Sequence, residues 1–238
     1  MTPQTIESLY TYASNEGAFI PPTYEKKVVY NSINPLAEIY RFHITDLINN
    51  YDIQALVMDP VLINIARNYL ACEPIFDFPA MWWSTAYLKE PSVEAAQLYH
   101  FDMDRIKWLK LFFYLTDVTS ENGPHCYIRG SHIPGTKPKE LLALGYTRIP
   151  DDGLKLYYKP DDFKQVQAKA GAIFAGDTMC FHKGSMIKKG ERLVLELQYT
   201  SSLFGAVQPK MVVKKSSESF RTFCKKEKRY VSNIHFND

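Results

Sequence analysis

Trp108-Leu109-Lys110-Leu111-Phe112-Phe113-Tyr114-Leu115-Thr116, then Glu121-Asn122-Gly123-Pro124, then Cys126-Tyr127-Ile128-Arg129 and Gly130-Ser131: this stretch decides the fold class. Its first nine residues are aromatic, aliphatic or β-branched, with a single charge, which suits a pleated and half-buried surface. Side chains alternate across a strand, so Leu109, Leu111, Phe113 and Leu115 form a wholly apolar face, while Lys110, Phe112, Tyr114 and Thr116 share the other. The apolar set suits a packed layer. The mixed set, with one lysine and one tyrosine, faces either the lumen of a barrel or, with Lys110 solvated, the outside. The Asn-Gly-Pro turn and the Gly-Ser pair then close two short strands in quick succession.

The same texture begins near residue 75. Strands are predicted at 81–88, 108–116, 126–129, 172–174, 179–182 and 192–200, with further turns at Ala175-Gly176-Asp177 and Lys189-Gly190. Many short strands with turn signals between them predict a sandwich or closed barrel. Residues 133–170 interrupt the pattern with four prolines and a short helix expected at 140–144. An excursion of that length in a compact domain reads as a lid or binding loop. Upstream, Leu36, Ile39, Tyr40, Ile44, Leu47 and Ile48 recur at helical spacing, and Asp59-Pro60 reads as an N-cap with proline at the first helical position. Leu62, Ile65, Ala66, Tyr69 and Leu70 continue that second helix to Glu73-Pro74. The expected organisation is one domain over 1–238. It has a helical part over about 1–75, a β core over about 76–205 with a lid-like insert at 133–170, and a basic extension over about 206–238.

The chain has 238 residues, 46% hydrophobic and 23% charged, ordinary for a globular protein; 14% are aromatic, in keeping with a β-rich body. A net charge of +2 does not demand nucleic acid as a partner. Eight Lys/Arg against two Glu between 210 and 229 read as a solvated face. Cys72, Cys126, Cys180 and Cys224 form no CxxC pair, so free thiols are expected rather than a zinc site. No apolar run approaches the roughly 20 residues of a membrane span. No secretory leader or peroxisomal Ser-Lys-Leu is visible, so the cytoplasm is the expected compartment. Nothing in the composition bears on oligomeric state.

The chemistry lies in His100-Phe101-Asp102, in His182 and in Arg192. Residues i and i+2 of an extended segment point to one side, so His100 and Asp102 can reach one ion together. Two imidazoles and one carboxylate can occupy one face of an iron octahedron and leave the other open. Arg192 heads an apolar strand. Pointing inward, it needs an anion: a bound carboxylate, or a neighbour such as Glu191 or Glu196. His125 and His132 are competing imidazoles. Of Trp82 and Trp83, one ring falls on each face of its strand.

In order, these motifs are His100-Phe101-Asp102, Tyr114 to Val118, Glu121 to Pro124, Gly130-Ser131-His132, Gly176-Asp177, Phe181-His182 and Arg192. From about Tyr87 to Thr200 the chain resembles the phytanoyl-CoA dioxygenase-like family of Fe(II)/2-oxoglutarate-dependent oxygenases. The resemblance implies a double-stranded β-helix, a jelly-roll or cupin-like barrel, with N-terminal helices packed on it. It implies that His100, Asp102 and His182 hold Fe(II) and that Arg192 binds the distal carboxylate of 2-oxoglutarate. Lys110, Tyr114, Gln97 and Ser185 are further candidates for contact with that cosubstrate. His182-Lys183-Gly184-Ser185 departs from the family's usual His-Gly-Ser by one residue. The implied reaction is hydroxylation of a C–H bond in a small-molecule substrate, with 2-oxoglutarate and O2 converted to succinate and CO2. The competing reading is a cupin-like barrel that binds a metal or ligand without turnover.

Overall fold

Two sheets face each other across a cavity in a computed structural model of the chain, which describes residues 1–205, 207 and 210–237. In chain order the elements are α1 (Pro3–Asn15), β1 (Ala18–Phe19), β2 (Lys27–Val28), β3 (Ile39–Arg41), α2 (Ile44–Ile48), α3 (Tyr51–Val57), α4 (Pro60–Leu70), β4 (Ile75–Thr85), β5 (Trp108–Tyr114) and β6 (His125–Ile128). They continue with α5 (Lys139–Ala143), α6 (Asp151–Lys155), β7 (Phe163–Val166), β8 (Ile173–Gly176), β9 (His182–Gly184), β10 (Glu191–Thr200), β11 (Met211–Val213), α7 (Glu218–Lys226) and β12 (Ile234–Phe236). The larger sheet runs β2-β1-β3-β4-β10-β5-β8 and the smaller β7-β6-β9. This is the double-stranded β-helix that the family resemblance implied.

The alternation in β5 sorts the two faces. Leu109, Leu111, Phe113 and Leu115 join Leu193, Leu195, Leu197 and Tyr199 of β10 in the main core, packed under α1 to α4 and α7. Phe112, Tyr114, Val194, Trp82 and Ile39 face the lumen in a separate cluster. The antiparallel register sets Ser84 opposite Arg192, Trp82 opposite Val194, and Val194 opposite Tyr114, so lumen residues of three strands stand in rows. A one-residue slip would turn every one of them into the core. Truncating a fully buried side chain such as Leu195 or Phe113 to alanine removes roughly 2–5 kcal/mol.

Asp59 caps α4 as its sequence suggests, its Oδ1 accepting from the Val61 and Leu62 amides at 2.8 and 3.3 Å. The expected helix at 36–48 is corrected. Ile39–Arg41 is a short strand paired with β4 on one side and with β1 on the other, and only Ile44–Ile48 is helical. The Tyr40 hydroxyl accepts the Leu36 and Ala37 amides, which tethers the preceding turn away from helical geometry. The expected strand at 81–88 begins earlier, at Ile75. The strand expected at 179–182 is displaced to His182–Gly184, because Met179 and Cys180 belong to the turn closed by Asp177. The excursion over 133–170 is not wholly outside the barrel, since Phe163–Val166 pair with β6.

Residues 206, 208, 209 and 238 of the expected basic extension lie outside the described residues. The rest of it is no appendage. Phe220, Cys224, Tyr230, Val231 and Ile234 are buried in the main core, and β11 and β12 pair in parallel. The apolar faces of α7 and β12 were masked in the sequence by the lysines around them. No helix among the described residues is long and apolar enough to cross a membrane.

Asp77 ties the segment after Asp102 to the larger sheet. It is fully buried, receives Arg105 Nε and Nη2 at 2.8 and 2.7 Å, and accepts Gln198 Nε2 at 2.8 Å. Removing one partner of a buried pair strands the other's charge. Asp77→Ala should therefore lower stability by about 3–5 kcal/mol in urea unfolding. A loss under about 1 kcal/mol would mean that water or a neighbour replaces the carboxylate.

Candidate metal centre

His100 and His182 meet because their backbones pair. The His100 amide donates to the His182 carbonyl at 3.0 Å, and the His182 amide returns the bond at 2.8 Å. Tyr99 pairs in the same way with Ile149, so 99–100 extends the smaller sheet beyond β9. Asp102 follows, its amide bonded to the Thr178 carbonyl at 2.8 Å; the Thr178 hydroxyl in turn accepts Trp108 Nε1 at 2.7 Å.

Each histidine has its Nδ1 at 3.0 Å from the carbonyl two residues before it: Leu98 for His100, Cys180 for His182. A carbonyl only accepts, so Nδ1 carries the proton and Nε2 keeps its lone pair free. The two Nε2 atoms lie 3.7 and 3.8 Å from the Asp102 carboxylate oxygens, and one atom from each of the three residues falls within 4.8 Å of the others. Among the described residues this is the one group of three or more His, Cys, Asp or Glu so arranged. Burial, then the neighbouring His182, pushes the His100 pKa down to about 3, and burial lowers His182 as well, so both rings are neutral at pH 7. Neutral imidazoles with one lone pair each, beside a carboxylate, are the donor set that Fe(II) takes with open positions.

Lys110 holds the carboxylate. Its Nζ lies 2.9 Å from Asp102 Oδ2, 3.6 Å from Glu196 Oε1 and 4.0 Å from Asp104 Oδ2. Burial works to raise the Asp102 pKa, but Lys110 and the two histidines outweigh it and hold the carboxyl below its ordinary range. Glu196, more deeply buried, is raised. Lys110 thus faces the lumen at the centre, engaged by protein carboxylates.

Arg192 opens into the same cavity, of about 260 Å³, and is 2% exposed. It takes neither glutamate offered by its sequence neighbours. Glu191 accepts the Tyr30 hydroxyl, and Glu196 faces Lys110. Arg192 instead bonds the Gly123 carbonyl and the Ser84 hydroxyl, and its Nε has no partner. Its tip lies so close to Gly184 that a Cβ there would meet Nη2 at 3.1 Å.

Of the remaining candidates, Tyr114 lies behind the cavity wall. Its hydroxyl accepts the His125 amide and bonds the Val166 carbonyl. Gln97 caps a turn, its Oε1 accepting the Ser92 amide. Ser185 faces a separate cavity on the far side of the smaller sheet, its Oγ 3.0 Å from Cys126 Sγ. The residue inserted at Lys183 carries the chain past the first cavity, which is why Ser185 emerges beyond it. His125 lines the first cavity with its ring against Phe112 and Tyr114, outside the three-residue group. His132 lies beside Cys180, away from that cavity. Sequence reasoning missed Arg41 and Arg148, which line the cavity, and offered Glu196, also in its lining, only as a partner for Arg192. Period two along 39–41 would have placed Arg41 beside Ile39 on the lumen face.

Lys110→Met should cost about 3 kcal/mol or more in chemical unfolding, because it leaves two buried carboxylates without their cation. Lys110→Met/Glu196→Gln should recover part of that loss. A double variant no better than the single would show that Glu196 draws nothing from Lys110.

The sequence profile of the phytanoyl-CoA dioxygenase (PhyH) family matches residues 35–188. Among solved structures, HygX from Streptomyces hygroscopicus with nickel and 2-oxoglutarate bound is similar, with a TM-score of 0.59 and 17% identity over 93% of this chain and 86% of its own. SnoK, a non-heme alpha ketoglutarate dependent carbocyclase from nogalamycin biosynthesis, gives a TM-score of 0.56 at 14% identity over 84% of this chain and 76% of its own. AviO1 from Streptomyces viridochromogenes Tue57 gives 0.52 at 17% identity over 88% and 89%. At such identities the likeness is one of fold. No curated protein matches the chain in sequence. The family match spans more than half of the 238 residues and contains the three-residue group, and on that ground the chain belongs to the phytanoyl-CoA dioxygenase (PhyH) family.

Proposed function

We propose that the protein is an Fe(II)/2-oxoglutarate-dependent dioxygenase that hydroxylates a C–H bond of a small molecule, with His100, Asp102 and His182 as iron ligands. The observation that carries this reading is Arg192. A buried guanidinium with no carboxylate within 4.0 Å among the described residues, and with an unpartnered Nε, calls for an anion from outside the chain. It shares a cavity with the three ligand side chains. A diacid whose keto end reaches the metal and whose distal carboxylate reaches Arg192 satisfies both, and 2-oxoglutarate has that form. HygX has been crystallised with 2-oxoglutarate and nickel in the same fold.

When bound, the iron supplies, with 2-oxoglutarate and O2, an oxidant strong enough to cleave a C–H bond, releasing succinate and CO2. The chain's own residues bind, orient and exclude water. The Leu98 and Cys180 carbonyls fix which nitrogen of each histidine is a donor atom. Lys110 holds Asp102 ionised and turned toward the histidines. Asp102 occupies the position that an anion such as chloride needs in a halogenase, which favours hydroxylation. Phe112, Trp82 and His125 give the cavity a wall that displaces water around the reacting centre. Leu141, Ile149 and Leu154 of the insert pack against Cys126 and Ile128 of the smaller sheet, which supports reading the insert as a lid.

The test is anaerobic titration of the Fe(II)-loaded protein with 2-oxoglutarate, reading the weak visible charge-transfer band of keto-acid chelation. The band should appear in wild type and be lost in His182→Ala. Iron binding with no band would leave a metal-binding barrel without this turnover. Arg192→Ala should raise the half-saturating 2-oxoglutarate concentration at least about tenfold, the worth of a charge-assisted pair, while iron affinity stays within about threefold. Unchanged cosubstrate affinity would make Arg192 a structural residue. Asp102→Ala should reduce succinate release and product hydroxylation to background; near wild-type turnover would remove Asp102 from the ligand set.

A further inference from the structure

Two arginines in the cavity are left over once the centre is accounted for. Lys110 faces Asp102 and Glu196. In the loaded centre the charges of Fe(II), Asp102, Lys110, Glu196, Arg192 and a 2-oxoglutarate dianion cancel. Arg41 and Arg148 line the same cavity, and neither has a carboxylate within 4.0 Å or a side-chain hydrogen bond among the described residues. The residues lining the loaded cavity therefore carry a surplus of two positive charges, both half-buried, with Asp104, 4.0 Å from Lys110, as a further carboxylate outside the lining.

Their placement is built. Arg41 projects into the lumen from β3, opposite Trp82 in the register, with its guanidinium 5.6 Å from the Trp82 ring. Arg148 precedes Ile149, whose amide and carbonyl both pair with Tyr99, next to His100. Its guanidinium lies 5.7 Å from the Tyr146 ring, and its Nη1 is buried without a partner. Burial is the main influence lowering the Arg41 pKa; Tyr24, Glu196 and Glu94 oppose it, and Arg148 adds to it. Two guanidiniums that repel each other in a partly dehydrated cavity cost stability unless an anion comes between them. Each offers a planar fork suited to a carboxylate or phosphate, and the aromatic faces beneath them hold their planes.

We propose that Arg41 and Arg148 form an oxyanion clamp for the substrate, so that the C–H bond to be oxidised belongs to a small molecule bearing a carboxylate or phosphate group. This rests on the oxygenase reading above. Arg192 serves the cosubstrate from β10, while Arg41 and Arg148 take the substrate's anionic group from β3, on the far side of β4 in the same sheet, and from the insert. The exposed Tyr146 stands at the rim beside them. The same surplus charge disfavours a cationic substrate.

The test uses protein loaded with nickel and saturating 2-oxoglutarate, which does not turn over. Inorganic phosphate and, separately, benzoate are titrated in by calorimetry. At least one should bind, and the arm that binds more tightly assigns the group as phosphate or carboxylate. Its affinity should fall about tenfold in Arg41→Gln and in Arg148→Gln, with 2-oxoglutarate affinity within about twofold of wild type in both. Arg41→Lys should lose most of the fork's advantage while keeping the charge. If neither anion binds, or if binding is the same in wild type and both variants, as coordination to the nickel alone would give, the clamp is overturned. Loss of 2-oxoglutarate affinity in place of anion affinity also overturns it and assigns these arginines to the cosubstrate. Failure of 2-oxoglutarate to bind the nickel-loaded wild type is a separate outcome, since it removes the oxygenase reading and the clamp with it.

Discussion

The reciprocal backbone pair between His100 and His182 is the constraint on which the rest of the centre depends. Two segments more than eighty residues apart become neighbouring rungs of one sheet, and their rings face each other with centroids 4.3 Å apart. Rings on a shared ladder cannot drift independently. Each is also keyed to the carbonyl two residues before it, so neighbouring backbone sets both position and tautomer. Asp102 is then placed by its own backbone bond to Thr178, and its charge is kept by Lys110 from the facing sheet. The smaller sheet and the segment that follows His100 thus supply the proposed metal ligands, and the larger sheet supplies Arg41, Lys110 and Arg192.

That division explains the shape of the electrostatics. Lumen positions of β3, β5 and β10 carry Arg41, Lys110 and Arg192, set among apolar neighbours that keep water and salt from screening them. Lys110 meets carboxylates of the chain, whereas among the described residues Arg192, Arg41 and Arg148 meet none within 4.0 Å. A folded chain tolerates such groups where binding supplies what folding withholds. The buried Asp77–Arg105 pair shows the contrasting case, in which the chain provides both partners and the function is anchorage.

Stability is supplied mainly by the other face. The helices before β4 and the segment after β10 cover the outer side of the larger sheet in one continuous core, and the lysine-rich end of the chain contributes Phe220, Tyr230 and Ile234 to it. The sheet can therefore carry polar and charged residues on its lumen side without losing its packing. The PhyH match stops at residue 188, before β10, so Arg192 and Glu196 lie on a strand outside the matched range that pairs with β4 and β5 inside it.

The sequence by itself determined the β-rich barrel and the alternation that sorts the two faces of β5, and its ordered motifs singled out His100, Asp102 and His182 as candidate ligands. The first two are written in local spacing and residue type, period two and glycine turns; the third is written in the order of motifs along the chain. Tertiary structure alone decided the rest. It turned 39–41 from an expected helix into a strand within the larger sheet, because Tyr40 and the pairing with β4 and β1 outweighed a helical spacing of apolar residues. It placed Ser185 in another cavity, since one inserted residue moves a side chain to a different face. It drew Gln97 into a turn and Tyr114 behind the wall, brought Arg148 beside the site from the insert, and gave Lys110 to Asp102 and Glu196 rather than to an open anion site. Which charge finds which partner depends on distances across the barrel between residues far apart in the chain, and no local pattern encodes those distances.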